Sequence, residues 1–207
     1  MCICQTEMAV MSEQMLISEF LRNAGDIITS KQVTEAGFHR SILSKLVESH
    51  ALGKVMRGVY MKPSAWEDEM YLLQHRFSKG VFSHETALYL HGLTDRTPAR
   101  FIMTFPWGYN ALSLKDENIT VKRALKELYE LGITEIASPA GSIIRIYDVE
   151  RTLCDIVRRN NACDIQIVNY AMKRYTESKS KDIQKLMFYA GKLRVKPKIL
   201  TYMEILL

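Results

Sequence analysis

Apolar and polar positions alternate at helical spacing in the first part of the chain. A stripe of five apolar residues predicts a first helix that runs from about Ser12 to Gly25, with the glycine as its C-cap. A second, shorter helix is predicted from Thr29 to Ala36. Thr29 and Gln32 have the spacing of a capping box, in which each side chain satisfies a backbone N–H of the other residue. The first 36 residues therefore predict two helices.

A third helix is predicted from His39 to about Ser49, after a tight turn for which Gly37 supplies the positive φ. Its apolar residues share one face. They are Ile42, Leu43, Leu46 and Val47. Residues that favour β-structure flank Arg57-Gly58, which predicts a hairpin. Helix, turn, helix and hairpin in this order are typical of a winged helix-turn-helix, and we expect residues 12–63 to form such a DNA-binding domain.

The charge of this region favours a polyanionic partner. Residues 29–62 contain six Lys or Arg against two acidic residues, a net charge of +4. A recognition helix fits the major groove and places short polar and basic side chains against phosphates and base edges. The predicted DNA-binding residues are Ser30, Lys31, His39, Arg40, Ser41, Ser44, Lys45, Lys54 and Arg57. The alternative is a solvated helix face beside a purely structural hairpin.

The remainder of the chain, residues 64–207, is predicted to form a separate domain. Pro63-Ser64 interrupts the pattern, and Ser64 and Glu67 have the spacing of a capping box for a helix that ends at about Phe77. Further along, helical and strand patterns are mixed. We predict a helix from His84 to His91 capped by Ser83, strands at 101–105 and 119–122, one or two helical turns at 125–131, a hairpin at 133–147, and helices at 150–160, 164–177, 181–193 and 197–206.

These elements predict an α+β protein. The expected architecture is an N-terminal winged helix-turn-helix followed by a mixed α/β domain that ends in several helices. No run approaches the roughly 20 apolar residues of a membrane-spanning helix, and no cleavable leader is evident. Cys2, Cys4, Cys154 and Cys163 lack the paired spacing of a metal site. We therefore expect a cytoplasmic protein with reduced thiols, no cofactor and no bound metal.

The net charge of +5 is concentrated in two regions, and the second lies near the C-terminus. Residues 173–198 contain nine basic and two acidic residues. The basic residues are Lys173, Arg174, Lys179, Lys181, Lys185, Lys192, Arg194, Lys196 and Lys198. Lys181, Lys185 and Lys192 are spaced to lie close to one helix face, which predicts a positive strip. Such a strip suits flanking DNA phosphates, a protein partner or its nucleic acid, or simply solvent.

Catalytic motifs are absent from the sequence. It contains no phosphate loop, dinucleotide fingerprint or nucleophile elbow. His84 and His91 share a helix face but are two turns apart, so capping and packing suit them better than metal binding. Arg151 and Asp155 have the i, i+4 spacing of an ion pair. We expect no enzyme activity. The alternative is a metal-dependent nuclease or hydrolase built on the carboxylates of Glu85, Asp148, Glu150 and Asp155.

Three stretches in order, Phe38–Tyr60, Ser83–Leu93 and Tyr147–Asp155, resemble the AbiEi antitoxin family of abortive-infection systems. The resemblance extends from about Met15 to the C-terminus. It implies a winged-helix repressor that binds inverted repeats in the promoter of its own operon. It also implies a C-terminal domain that antagonises a nucleotidyltransferase-like toxin without a stable complex, the arrangement called type IV. A ligand-responsive transcriptional regulator is the other alternative.

Overall fold

A computed structural model describes residues 15–110, 118–158 and 163–206 of the chain. The predicted helix start at Ser12, Cys2, Cys4 and the predicted helix end near Asn160 lie outside these ranges. The chain divides into two compact units, Met1–Asp68 and Glu69–Leu207, referred to below as unit 1 and unit 2. Together they contain helices and two β-sheets, so the protein belongs to the α+β class.

Unit 1 combines short helices with a small sheet. Its described elements are α1 (15–23), β1 (Ile27–Thr29), α2 (Ser30–Glu35), α3 (Ser41–Glu48), β2 (Gly53–Met56) and β3 (Val59–Met61). The sheet has the order β1-β3-β2, with both pairings antiparallel. β2 and β3 form the predicted hairpin, and the register shifts between Lys54 and Met56. β1 was not predicted, because three residues are too few to show a period.

The core of unit 1 lies between its helices and its sheet. Four side chains are buried at its centre: Ile28, Val33, Leu43 and Leu52. The apolar stripe of α1 and the inner face of α3 pack against them. The inner residues of α3 include Leu46, which is half-buried like its neighbour Val47. The helix faces predicted from periodicity are therefore the ones that form this core.

Unit 2 is built on a five-stranded mixed sheet of order β6-β5-β4-β8-β7. Its strands are β4 (Val81–Phe82), β5 (Phe101–Pro106), β6 (Ile119–Ala124), β7 (Ile133–Ala137) and β8 (Ile143–Tyr147). β5–β6 and β4–β8 are parallel, whereas β4–β5 and β7–β8 are antiparallel. The central strand β4 has only two residues and was not predicted.

Seven helices are described in unit 2. They are α4 (Glu69–Arg76), α5 (His84–Leu90), α6 (Lys126–Glu130), α7 (Val149–Ile156), α8 (Ile165–Glu177), α9 (Ile183–Lys192) and α10 (Lys196–Leu206). α7 lies at the centre of the largest apolar cluster, in which α5, α8, α9 and α10 also participate. Side chains from α4 and α5 join those of the strands in a second cluster. Every residue from Glu150 to Val157 is buried, so α7 is the central helix of unit 2.

The capping box predicted at Ser64 is wrong, because α4 begins at Glu69. Residues 63 and 64 form a turn, in which the Ala65 N–H donates to the Lys62 carbonyl over 3.0 Å. Trp66 is 89% exposed and so contributes no apolar contact that would hold a first helical turn. None of the described helices is both long enough and apolar enough to span a membrane.

Candidate nucleic-acid interface

The start of α2 is fixed by the predicted capping box, which the structure confirms. The Gln32 N–H donates to Thr29 Oγ1 over 3.2 Å, and the Thr29 N–H donates to Gln32 Oε1 over 2.7 Å. Five residues separate the end of α2 from the start of α3, and Gly37 among them adopts a φ of +85°. Because a side chain at that φ is strained, glycine suits this position. The turn therefore sets the direction of α3.

Residues of the turn are held by polar contacts. His39 Nδ1 lies 2.8 Å from Ser41 Oγ, and Arg40 Nε donates to Thr34 Oγ1 over 3.1 Å. Arg40 is the N-cap residue of α3, so the predicted start at His39 is two residues too early. The bond to Thr34 uses only Nε, and among the described residues the two terminal nitrogens of the guanidinium have no hydrogen-bond partner. They are available to an anion.

The outer face of α3 is polar and exposed. Ser41, Ser44, Lys45 and Glu48 all point away from the core, whereas Leu43 is only 1% exposed. Burial of the apolar face therefore fixes the rotation of the helix. The hydroxyls and the ammonium group remain in water.

Lys54 and Arg57 are exposed on the β2–β3 hairpin. The turn is Arg57-Gly58, where Gly58 has a φ of +79°. The Gly58 carbonyl accepts a hydrogen bond from the Ser30 N–H at 2.9 Å, which ties the turn to the start of α2. Lys31 Nζ lies 3.6 Å from Glu35 Oε1, and both groups are exposed, so this ion pair is weak.

Eight of the nine predicted DNA-binding residues are exposed, and Ser30 is half-buried. Thr34, which holds Arg40, was missed. Its spacing of six residues from Arg40 gives no signal in the sequence, since the contact depends on the geometry of the turn. The outer face of α3, the turn before it and the hairpin turn together form the candidate interface of unit 1.

The predicted positive strip of Lys181, Lys185 and Lys192 is broken in unit 2. Lys181 precedes α9, and its ammonium donates to the Thr176 carbonyl over 2.8 Å. Lys185 Nζ lies 3.0 Å from Asp148 Oδ2 and 3.2 Å from Glu150 Oε2. Burial by itself lowers the pKa of Lys185, but these two carboxylates outweigh it and raise the pKa above its usual value. Lys185 is therefore a structural cation.

The carboxylates considered for a nuclease are engaged with partners in unit 2. The predicted ion pair is confirmed, with Arg151 Nε 2.9 Å from Asp155 Oδ2. Asp148 caps α7 by accepting from the Arg151 N–H over 2.8 Å, as predicted. The Glu150 carboxylate accepts from the Tyr175 hydroxyl over 3.1 Å, in addition to its pairing with Lys185. No group of three His, Cys, Asp or Glu within the described ranges is arranged to hold a metal ion.

The two histidines of α5 have separate partners. His91 Nε2 lies 2.8 Å from the Tyr147 carbonyl, which joins the end of α5 to β8. His84 is buried, and its Nδ1 lies 2.9 Å from Ser83 Oγ. Ser83 occupies the N-cap position of α5 as predicted, but its hydroxyl makes no cap bond and instead accepts from the Thr104 hydroxyl at 2.9 Å. Packing and hydrogen bonding account for both histidines.

Cys163 is expected to be a slow nucleophile. Burial, together with the charge and hydrogen bond of Glu85, raises the pKa of its thiol to about 12. The thiol therefore stays protonated at pH 8, where we expect alkylation by iodoacetamide to be at least about tenfold slower than for free cysteine. Timed alkylation followed by peptide mass spectrometry measures the rate. Glu85→Gln should increase it, and a parent rate equal to that of free cysteine would contradict the expectation.

Comparison with known proteins gives little information. No family model matches the chain, and no curated protein matches it. Among solved structures, the RV2827C protein from Mycobacterium tuberculosis aligns with a TM-score of 0.44 and 16% sequence identity. The alignment covers 90% of this chain and 80% of that chain. At this level of similarity the match supports no statement about the function of the chain.

Proposed function

We propose that the chain is a sequence-specific DNA-binding repressor, in which unit 1 is a winged helix-turn-helix and α3 is its recognition helix. The observation that carries the proposal is the division of α3 into two faces. Its apolar face forms the core of unit 1, whereas Ser44 and Lys45 on the opposite face are exposed. This outer face is therefore not required to hold the fold together and is free to contact a groove.

The chemistry of the candidate interface suits double-stranded DNA. Serine hydroxyls and a lysine on α3 match base edges and phosphates of the major groove. Arg40, oriented by Thr34, stands at the start of that helix, and Arg57 stands at the hairpin turn. In this arrangement α3 reads bases, while the two arginines bind phosphates on either side of it. An inverted-repeat operator would place two copies of the chain on one site.

The resemblance to the AbiEi antitoxin family extends the proposal to unit 2. We propose that the protein represses its own promoter and that unit 2 antagonises a nucleotidyltransferase-like toxin, acting without catalysis and without a stable complex. Two observations support a non-enzymatic role. Asp155 is paired with Arg151, and Asp148 and Glu150 share Lys185, so all three carboxylates serve the fold.

Combined replacement of Arg40 and Lys45 by alanine is expected to abolish operator binding at physiological salt. A base-reading contact contributes about 1–3 kcal/mol, and each lost phosphate contact lowers the slope of log K against log salt by about one. Fluorescence anisotropy with a labelled duplex from the chain's own promoter, repeated at several salt concentrations, measures both quantities.

Single variants separate the roles of these residues. Arg40→Ala should weaken binding to operator and scrambled duplexes alike, as loss of a phosphate contact does. Ser44→Ala or Lys45→Ala should reduce the preference for the operator. Lys79→Ala, which removes an exposed charge from unit 2, is the matched control. Unchanged operator affinity in the Arg40→Ala, Lys45→Ala double variant would refute α3 as the recognition helix.

A further inference from the structure

We propose a second binding site, for single-stranded nucleic acid, on the exposed end of α9 and the turn into α10. The site consists of Phe188, Lys192, Arg194 and Lys196 and is called the α9–α10 surface below. It does not depend on the proposed function of unit 1. Three observations support the proposed site: the charge of the segment, the exposure of one aromatic ring and the backbone conformation of one arginine.

All charged side chains in this segment are positive. Residues 183–203 contain five Lys or Arg and no Asp or Glu. Lys185 pairs with Asp148, the N-cap residue of α7, and with Glu150 of that helix. Lys198 Nζ donates to the Val157 carbonyl over 2.6 Å. The other three cations, Lys192, Arg194 and Lys196, are exposed, and within the described residues no carboxylate lies at ion-pair distance from them. They form a positive surface that the fold itself does not neutralise.

Phe188 lies on α9, one helical turn before Lys192. Its side chain is 55% exposed, although Leu186, Tyr189 and Ala190 of the same helix are buried. Lys192 Nζ lies 5.7 Å from the centre of its ring, so a stacking surface and a cation are adjacent. Aromatic rings stack on the faces of unpaired bases, while neighbouring cations hold the backbone phosphates. In a duplex those faces are covered by adjacent base pairs, so this surface favours single strands.

The backbone at Arg194 gives independent support. Arg194 has a φ of +58°, in the left-handed region that side chains other than glycine seldom adopt. Its N–H donates to the Gly191 carbonyl, and the Val195 N–H donates to the Ala190 carbonyl, a Schellman motif in which Arg194 occupies the position that glycine usually fills. The fold would accept glycine more readily there. We infer that the arginine serves the positive surface, in keeping with the clustering of backbone strain at functional sites.

The test uses the full chain and fluorescein-labelled 12-nucleotide oligouridylate and oligothymidylate. Fluorescence anisotropy at low salt should give affinities that fall by about 5- to 100-fold in Phe188→Ala and stay near the parent value in Phe188→Tyr. Lys192→Ala should lower the salt slope by about 0.7, the value for one phosphate of a single strand. Ile205→Ala, which removes another exposed apolar side chain, is the control.

Arg194→Gly separates binding from folding. Relief of the left-handed strain should raise the Tm by roughly 2–4 °C, while the affinity for the oligonucleotides falls. A variant that is more stable and binds less tightly cannot be explained by misfolding. The α9–α10 surface is refuted if Phe188→Ala binds both oligonucleotides like the parent. It is equally refuted if Phe188→Ala loses toxin antagonism alone, which would indicate a protein contact.

A combined Lys45→Ala, Arg57→Ala variant keeps this test distinct from the one for unit 1. It should lose duplex operator binding and retain the affinity for single strands. If it loses the single-strand affinity as well, that binding belongs to unit 1 and the proposed site on unit 2 is wrong. Failure of operator binding in the parent would leave the single-strand result intact, since the two sites share no residue.

Discussion

Replacement of Arg151 by leucine is expected to destabilise unit 2 by about 3–5 kcal/mol, because it removes the closest partner of a buried carboxylate. Arg151 and Asp155 are 1% and 2% exposed. The guanidinium also donates to the carbonyls of Leu128 and Leu131 and lies 4.4 Å from the centre of the Tyr147 ring. Removing it leaves the Asp155 carboxylate with Arg158 Nη1 at 4.0 Å and takes a hydrogen-bond donor from two carbonyl groups.

Urea denaturation followed by circular dichroism measures this loss. Arg96→Leu is the matched control, since it breaks the ion pair between Arg96 and Asp164, which are 59% and 44% exposed. This change should lower the free energy of unfolding by at most about 1 kcal/mol. Arg151→Leu combined with Asp155→Leu should recover part of the stability, because the buried carboxylate is then removed together with its closest partner. A loss below about 1 kcal/mol for Arg151→Leu alone would contradict the expectation.

Residues 64–207 expressed alone are expected to fold, to antagonise the toxin and to lose repression completely. The predicted division at Pro63-Ser64 lies five residues before the boundary between the two compact units. The four apolar clusters formed by described residues each lie within one unit, so a cut at this position divides none of them. Since α3 and the hairpin are absent from the fragment, no residue of the candidate DNA interface remains.

Thermal unfolding of the fragment, growth during toxin expression and a promoter reporter measure the three outcomes. The full chain with Arg40→Ala and Lys45→Ala is the control, since it should also lose repression and retain rescue. A fragment that folds cooperatively but does not restore growth would show that antagonism needs unit 1. A fragment that still represses would show that DNA binding does not reside in α3.

Local chemistry accounts for what the sequence predicted correctly. The Thr29 capping box, the Asp148 cap and the inner face of α3 all depend on residues within one or two helical turns of each other. The hairpin at Arg57-Gly58 follows from a glycine between residues that favour β-structure. The exposure of Ser41, Ser44 and Lys45 follows from the periodicity of α3, because the side opposite an apolar stripe faces water.

The errors occur where a local pattern lacked support from the rest of the fold. Ser64 and Glu67 have capping-box spacing, yet no helix begins there, because an exposed Trp66 leaves the first turn without packing. β1 and β4 are too short to show a period, and each is a strand only because its neighbours supply hydrogen-bond partners. A segment of two or three residues acquires its conformation from contacts that are distant in sequence.

The sequence by itself determined the positions of most helices, the polar face of α3 and the pairing of Arg151 with Asp155. Only the tertiary structure decided how much those features contribute to the stability of the protein. Loss of one partner from an i, i+4 pair on a helix surface costs a few tenths of a kcal/mol, whereas burial of α7 raises the cost for this pair to about 3–5 kcal/mol. Likewise, Lys185 and Lys192 are equivalent charges in the sequence, but the fold brings two carboxylates to Lys185 and leaves Lys192 beside an exposed ring. Spacing along a helix fixes which side chains share a face, but the free energy of a charge depends on its solvent and its partners, which the packing of distant elements sets.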